Sequence, residues 1–424
     1  MGLFGRKKKV VVEEVVEEPT PTLPTPPASN EAGLRDPEEH REYLLGLVEP
    51  LNPFGMSLLD AWDQTLCEDI AAHSNSPAYP SAGVIGYAVD AESVAVGETL
   101  SLSSAEDFSA GGAVAVSIGD PLPEGADAVV HAAAAKVNGE ELVVTRPIRS
   151  GDHVRPAGAD VSKGDVLVAN GSKLTAREIG LLAGVGIDKV LVRPRPRVVI
   201  LSVGDDLMDV SSGSDDEQNL DSNSYAIAAA ARAIGAQVWR VGPIATDSTQ
   251  LQESITDQLI RADFVIVTPG PADADAAAVR DAMDALGLTD HARLALQPGG
   301  ETSFGLIGDD EVPMLVLSHD PTEALVGFHG FAVPIVRKLK GVMPYQPLAT
   351  RAITTQMLRS EPGVTLLIPA HTRLEHGVRT VEKVDQRHAL TRLARANALV
   401  VVGDEASVIR AGESVMCWLL DPER

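Results

Sequence analysis

The 424-residue chain has only two cysteines, Cys67 and Cys417, far apart and outside any CxxC or Cys/His cluster. That usage argues against zinc and iron–sulfur centres and leaves packing as their role. Aromatic residues are 4% of the chain, so the core must be built from Val, Leu, Ile and Ala; at 44% hydrophobic residues there is material for a large one. Cations are in deficit: 35 Lys and Arg face 60 Asp and Glu, a formal net charge of −25. Such a surface repels nucleic acid and oxyanions, and a basic peptide suits it better than a polyphosphate. No run reaches the roughly 20 apolar residues of a membrane span, and no apolar signal-peptide core opens the chain. Both absences point to the cytoplasm. Gly2 follows Met1, but Arg6 stands where a myristoylation site needs Ser or Thr.

The length suggests two to four domains. Residues 1–35 read as a disordered tail, with a basic cluster (Arg6, Lys7, Lys8, Lys9) and the Pro-rich run PTPTLPTPP. Asp36, Pro37 and Glu39 then make a helix start, followed by a stripe of Leu44, Leu47, Val48 and Leu51. A second helix is expected from Ser57, with Leu58, Leu59, Trp62 and Leu66 on one face. Residues 36–87 and 151–190 read as a helical domain into which a β-rich domain, 88–150, is inserted. Within 191–343, strands such as RVVILSVG and DFVIVTPG alternate with helices such as SNSYAIAAAARAIG, which implies a doubly wound parallel sheet. Residues 344–424 read as a C-terminal β domain with one short helix near 386–396. The fold class is thus α/β and multidomain.

Ligands of such sheets lie beyond the carboxyl ends of the strands. The first end carries Gly204, Asp205 and Asp206, then an acidic loop (Asp215, Asp216, Glu217) and Asp221-Ser222-Asn223. These carboxylates could hold a divalent cation; Asp221 or Ser222 could equally cap the next helix. The second end is Thr268-Pro269-Gly270-Pro271-Ala272, whose prolines remove N–H donors from any phosphate cradle. The third, Ser318-His319-Asp320-Pro321, offers a His beside an Asp that reads first as a cap.

These motifs resemble the molybdopterin molybdotransferases (MoeA), the family that includes the E domain of gephyrin. The resemblance runs through GYAV at 86–89, LPEGADAVV at 122–130, RPAGADVSKGDVL at 155–167, LTAREIGLLAGVGI at 174–187 and RPRVVILSVGDDL at 195–207. It continues through DSN at 221–223, ALVGF at 324–328, LARANAL at 393–399 and AGE at 411–413. Against the family pattern, Ile85 replaces an Asp, Ala277 an acid, Gly300 a lysine within Gln297-Pro298-Gly299-Gly300-Glu301, and Asp320 the Asn of a Pro-Gly-Asn-Pro turn.

The chain also resembles bacterial gephyrin-like cell-division proteins (Glp). Loss of lysines and gain of Glu301 oppose anion binding, so the resemblance implies a catalytically degenerate scaffold without a cofactor. It would be a cytoplasmic homodimer recruited to the division septum, binding the FtsZ C-terminal tail, with a membrane receptor's cytoplasmic segment as a candidate second partner, but no nucleic acid. Its peptide pocket would use Tyr43, His376, Arg379 and Gly403. The alternative is a working transferase inserting molybdate into adenylylated molybdopterin. Asp160, Asp205, Asp206 and Asp221 would then hold magnesium, and Arg155 would supply positive charge.

Overall fold

The computed structural model describes residues 22–212, 219–385, 389–405 and 408–420. The basic cluster at 6–9 and the acidic run at 215–217 lie outside them. The chain divides into two compact units. One comprises Leu51–Pro194 with Lys340–Val342; the other comprises Met1–Pro50, Arg195–Leu339 and Met343–Arg424.

Helix α1, Pro37–Gly46, opens the larger unit. It starts as expected: the Asp36 carboxylate accepts the N–H groups of Glu38 and Glu39 at 2.8 and 2.9 Å, satisfying donors that a helix start leaves unpaired.

In the smaller unit, the stretch from Ser57 is not helical. Phe54–Ser57 is a strand paired antiparallel with Lys189–Arg193, and Thr65–Leu66 pairs on the other side of that strand. The Ser57 hydroxyl donates to Asp60 at 2.6 Å and Asp63 sits at φ +66°, so the intervening residues form a turn. Leu59 and Trp62, half of the expected helical stripe, are 81% and 51% exposed. The helix of this unit is α2, Ala176–Gly184, which opens with a Thr175/Glu178 capping box and buries Leu182 against Leu66, Leu174 and Val190. The inserted β-rich segment is a six-stranded sheet running, edge to edge, 128–131, 86–89, 112–116, 99–102, 141–144 and 135–138. Gly86 of the GYAV strand is required by space: a Cβ there would stand 2.0 Å from the Val130 carbonyl oxygen.

The larger unit is organised on a second six-stranded sheet. Its strand order is Gln237–Ile244, Arg197–Val203, Phe264–Pro269, Val312–Val316, Glu301–Ile307 and Gly287–Arg293. The first four are parallel; the last two are added antiparallel as a hairpin. Helices α3 (Asn223–Ala233), α4 (Ser248–Leu259), α5 (Asp273–Leu286) and α6 (Pro321–Gly327) cover it, α3 touching α6 and α4 touching α5. Val198 through Leu201 and Phe264 through Val267 are fully buried on both faces, which is why those strands read as unbroken apolar runs. A π-helical turn, Phe328–Ala332, leads into α7, Val333–Leu339.

The C-terminal strands close on themselves. Thr365–Glu375 pairs with Val378–Lys383 and with Ala398–Val402, while Ala349–Thr354 and Ser414–Leu419 complete the circuit. A closed barrel leaves no unpaired edge. Helix α8, Ala389–Arg395, precedes the strand Ala398–Val402.

Candidate functional site

The parallel strands deliver their carboxyl ends to one edge of the sheet. The Gly204 N–H donates to the Ile244 carbonyl at 2.9 Å, and the Gly270 N–H to the Val203 carbonyl at 2.7 Å. The flanking prolines therefore do not close an anion cradle at Gly270, because that N–H is already committed to the sheet.

Asp205 accepts the Thr246 hydroxyl at 2.5 Å and the Thr246 N–H at 2.9 Å. These bonds, the hydroxyl's first, hold its carboxyl below the usual carboxylate range. Asp206, beside it, is exposed. Asp275, in the first turn of α5, is buried and accepts the Ala272 N–H at 3.3 Å. Burial raises its pKa, and the charges of Asp205 and Asp206 push the same way. Two glycines make room for it: a Cβ at Gly270 would stand 2.3 Å from the Asp275 Oδ2, and one at Gly204 3.0 Å.

The other expected residues have other partners. Asp221 is buried and accepts the Ser224 N–H at 3.0 Å and the Ser224 hydroxyl, with Arg240 at 3.4 Å; it caps α3. Asn223 donates its amide to the His319 carbonyl at 2.7 Å, tying α3 to the third strand end. Asp320 caps α6 through the Thr322 and Glu323 N–H groups at 2.7 and 3.1 Å. In the smaller unit Asp160 is ion-paired with Arg155, and Ile85 is 60% exposed beside the GYAV strand. Ala277 lies on α5. Gly300 sits in a loop closed on itself, where a Cβ would meet the Leu294 and Leu296 carbonyl oxygens at 2.9 Å. Of the expected peptide pocket, the Tyr43 hydroxyl donates to the Pro24 carbonyl at 3.2 Å and Arg379 donates to the Thr372 hydroxyl at 3.3 Å. His376 turns the hairpin at φ +52°, and Gly403 follows the strand Ala398–Val402.

Beside Ala272 a cavity of about 780 Å³ opens between α5 and the hairpin. Arg280, Arg293, Glu301, Ser303 and Ser318 are among its lining residues. Neither arginine has an ion-pair partner within 4 Å among the described residues. Sequence reasoning missed both, although Ala276, Arg280 and Asp284 repeat every four residues along one face of α5.

Residues 35–186 match the MoeA N-terminal region (domain I and II), 199–338 a probable molybdopterin binding domain, and 351–420 the MoeA C-terminal region (domain IV). Molybdopterin molybdenumtransferase 1 of Mycobacterium tuberculosis is 33% identical, over 90% of this chain and 98% of its own length. The chain belongs to the MoeA family. Molybdopterin molybdenumtransferase 2 of the same organism is 28% identical over 91% of this chain. The MoeA protein of Pyrococcus horikoshii shares the fold at a TM-score of 0.78, with 24% identity, covering 91% of this chain and 99% of its own.

These full-length matches to transferases overturn the degenerate, FtsZ-binding scaffold expected from the motif departures, and with it the septal cell-division role and the absence of cofactor. They support the MoeA family and not a gephyrin-like division subgroup. The physical error lay in treating the lost lysines as uncompensated: Arg280 and Arg293 stand in the same cavity. No helix among the described residues is long and apolar enough to cross a membrane.

Magnesium is implied by the family. Among the described residues no three His, Cys, Asp or Glu side chains are grouped so as to hold a metal ion unaided. Mg²⁺ commonly binds through one or two carboxylates plus substrate phosphates and waters. Asp205 and Asp206, with Asp275 destabilised by their charge, fit that mode.

Proposed function

We propose that this chain is a molybdopterin molybdenumtransferase, inserting molybdate into adenylylated molybdopterin. The full-length match to Molybdopterin molybdenumtransferase 1 supports it above all. Arg280 and Arg293 hold the substrate's phosphates by charge-assisted hydrogen bonds. Asp205 and Asp206 receive Mg²⁺, which when bound neutralises phosphate charge. Asp275 sets the negative field in which the cation is held, and Thr246 keeps Asp205 ionised and oriented.

Purified protein incubated with adenylylated molybdopterin, molybdate and Mg²⁺ is expected to yield molybdenum cofactor, read by reconstitution of an apo-molybdoenzyme. No insertion above a heat-killed control rejects the reading. Arg280→Gln and Arg293→Gln are each expected to weaken AMP binding by roughly 10- to 100-fold in calorimetry; unchanged affinity in both removes the arginines from the phosphate site. A homodimer, expected from the resemblance, belongs to the same proposal, and a single-chain mass by light scattering excludes it.

A further inference from the structure

One wall of the cavity carries a hydrogen-bonded relay that phosphate and metal binding do not use. In the hairpin of Gly287–Arg293 with Glu301–Ile307, His291 stands directly opposite Ser303 and Arg293 opposite Glu301. Side chains alternate along a strand, so these four share one face, and all four line the cavity. His291 Nδ1 lies 2.8 Å from the Ser303 Oγ, and its Nε2 lies 3.0 Å from the Asp284 Oδ1. Asp284 is one turn beyond Arg280 on α5 and also accepts the Thr289 hydroxyl. That bond, and after it His291, keep the carboxyl below the usual range.

An ionised carboxylate only accepts, so the Nε2 carries the proton and the Nδ1 is left to accept the Ser303 hydroxyl. The order is nucleophile, base and orienting acid, with the two ring nitrogens exchanged relative to the serine-protease arrangement. Ser303 is 6% exposed and reaches ligands through the cavity. Arg280 and Arg293 line the same space, where guanidinium groups stabilise charge developing on phosphoryl oxygens.

We propose that Ser303, His291 and Asp284 form a nucleophilic relay that opens a phosphoanhydride bound in this cavity. The identity of that anhydride, the adenylyl link of the substrate, rests on the transferase reading; the reactivity of the serine does not. The Ser303 Oγ attacks the adenylyl phosphorus while its proton passes to the His291 Nδ1. The bond from that phosphorus to the bridging oxygen breaks, and the pterin phosphate leaves with the electron pair and takes the proton from His291. Water then attacks the serine-bound adenylyl group and gives a proton to His291. The Ser303 oxygen leaves with its bonding pair, regains that proton, and AMP is released. The sum is one water and one anhydride giving AMP and a pterin phosphate.

The test exposes the full chain to a fluorophosphonate probe and maps the adduct by peptide mass spectrometry. Labelling of Ser303 is expected, lost in His291→Asn and slowed about tenfold or more in Asp284→Asn, with both variants checked for an unchanged thermal midpoint. An unlabelled Ser303 in the wild-type protein, or labelling indifferent to His291→Asn, overturns the relay. Ser303→Ala that inserts molybdenum at the wild-type rate also overturns it and leaves the transferase reading standing. A wild-type protein labelled at Ser303 but unable to insert molybdenum does the reverse.

Discussion

Gly270→Ala is expected to abolish most turnover, by about 100-fold in kcat/KM, while leaving a folded protein. The reason is space, not backbone conformation. The new methyl group would stand 2.3 Å from the Asp275 Oδ2 and 3.3 Å from Leu207. The backbone has little freedom to yield, because Pro269 and Pro271 fix φ on either side and the Gly270 N–H is held by the Val203 carbonyl at 2.7 Å. Asp275 must therefore swing away, losing its bond from the Ala272 N–H. Loss of a helix-start bond costs about 1 kcal/mol. The larger effect is on chemistry: a displacement near 1 Å at a positioned group can cost about 100-fold in rate. Gly204→Ala, where the same oxygen is 3.0 Å away, should fall between this variant and wild type. Kinetics beside a urea melt separate the two effects. Turnover within twofold of wild type in Gly270→Ala would show that the placement of Asp275 does not matter.

What sequence revealed and what it hid follow from the range of the interactions. The parallel strands were legible because both faces are covered and their residues are continuously apolar. The caps at Asp36 and Asp320 were legible because the acceptor and its donors lie within three residues. The hairpin of residues 287–307 escaped because polar residues run consecutively, Thr289-Asp290-His291 in one strand and Glu301-Thr302-Ser303 in the other, so both faces carry polar groups and the alternation that marks a strand is lost. Without that hairpin, Arg293 has no place in the site, and Arg280 on α5 is a surface cation like any other. The departures at 297–301 thus appeared as unrelieved losses. In the fold, the Gly300 loop is shaped so that a side chain would strike two carbonyl oxygens, and positive charge enters the cavity from α5 and the strand Gly287–Arg293 instead. Asp221 shows the opposite limit. Its place just ahead of a helix favoured a cap over a metal ligand, and its bonds from Ser224 and Arg240 show it in that role.

Stability is expected to fall as pH drops from about 6.5 to about 4. Two histidines set that window. His40 on α1 is fully buried, its ring 5.6 Å from Phe331, with both nitrogens unpaired. Burial lowers its pKa to about 4, with Asp290 opposing and Arg35 assisting. His329, in the π-helical turn against Phe328, is lowered to about 4 by burial alone. An unfolded histidine titrates near 6.5, so between these values the unfolded chain binds protons that the folded chain refuses. Stability then rises with pH through the window and levels off above it. The gap is worth up to about 3 kcal/mol for each histidine, a large fraction of the roughly 5–15 kcal/mol that holds an ordinary domain together. Asp205, whose pKa is lowered, acts in a separate range: its contribution is complete above about 4 and is lost only below that. Urea midpoints between pH 7.5 and 4.5 are expected to decline in the wild type, to decline about half as steeply in His40→Leu, and to flatten only when His329 is replaced as well. The His40→Leu variant also removes two unpaired buried nitrogens and should cost little at neutral pH. A double variant of His40 and His329 that keeps the full acid slope would place the sensitivity elsewhere.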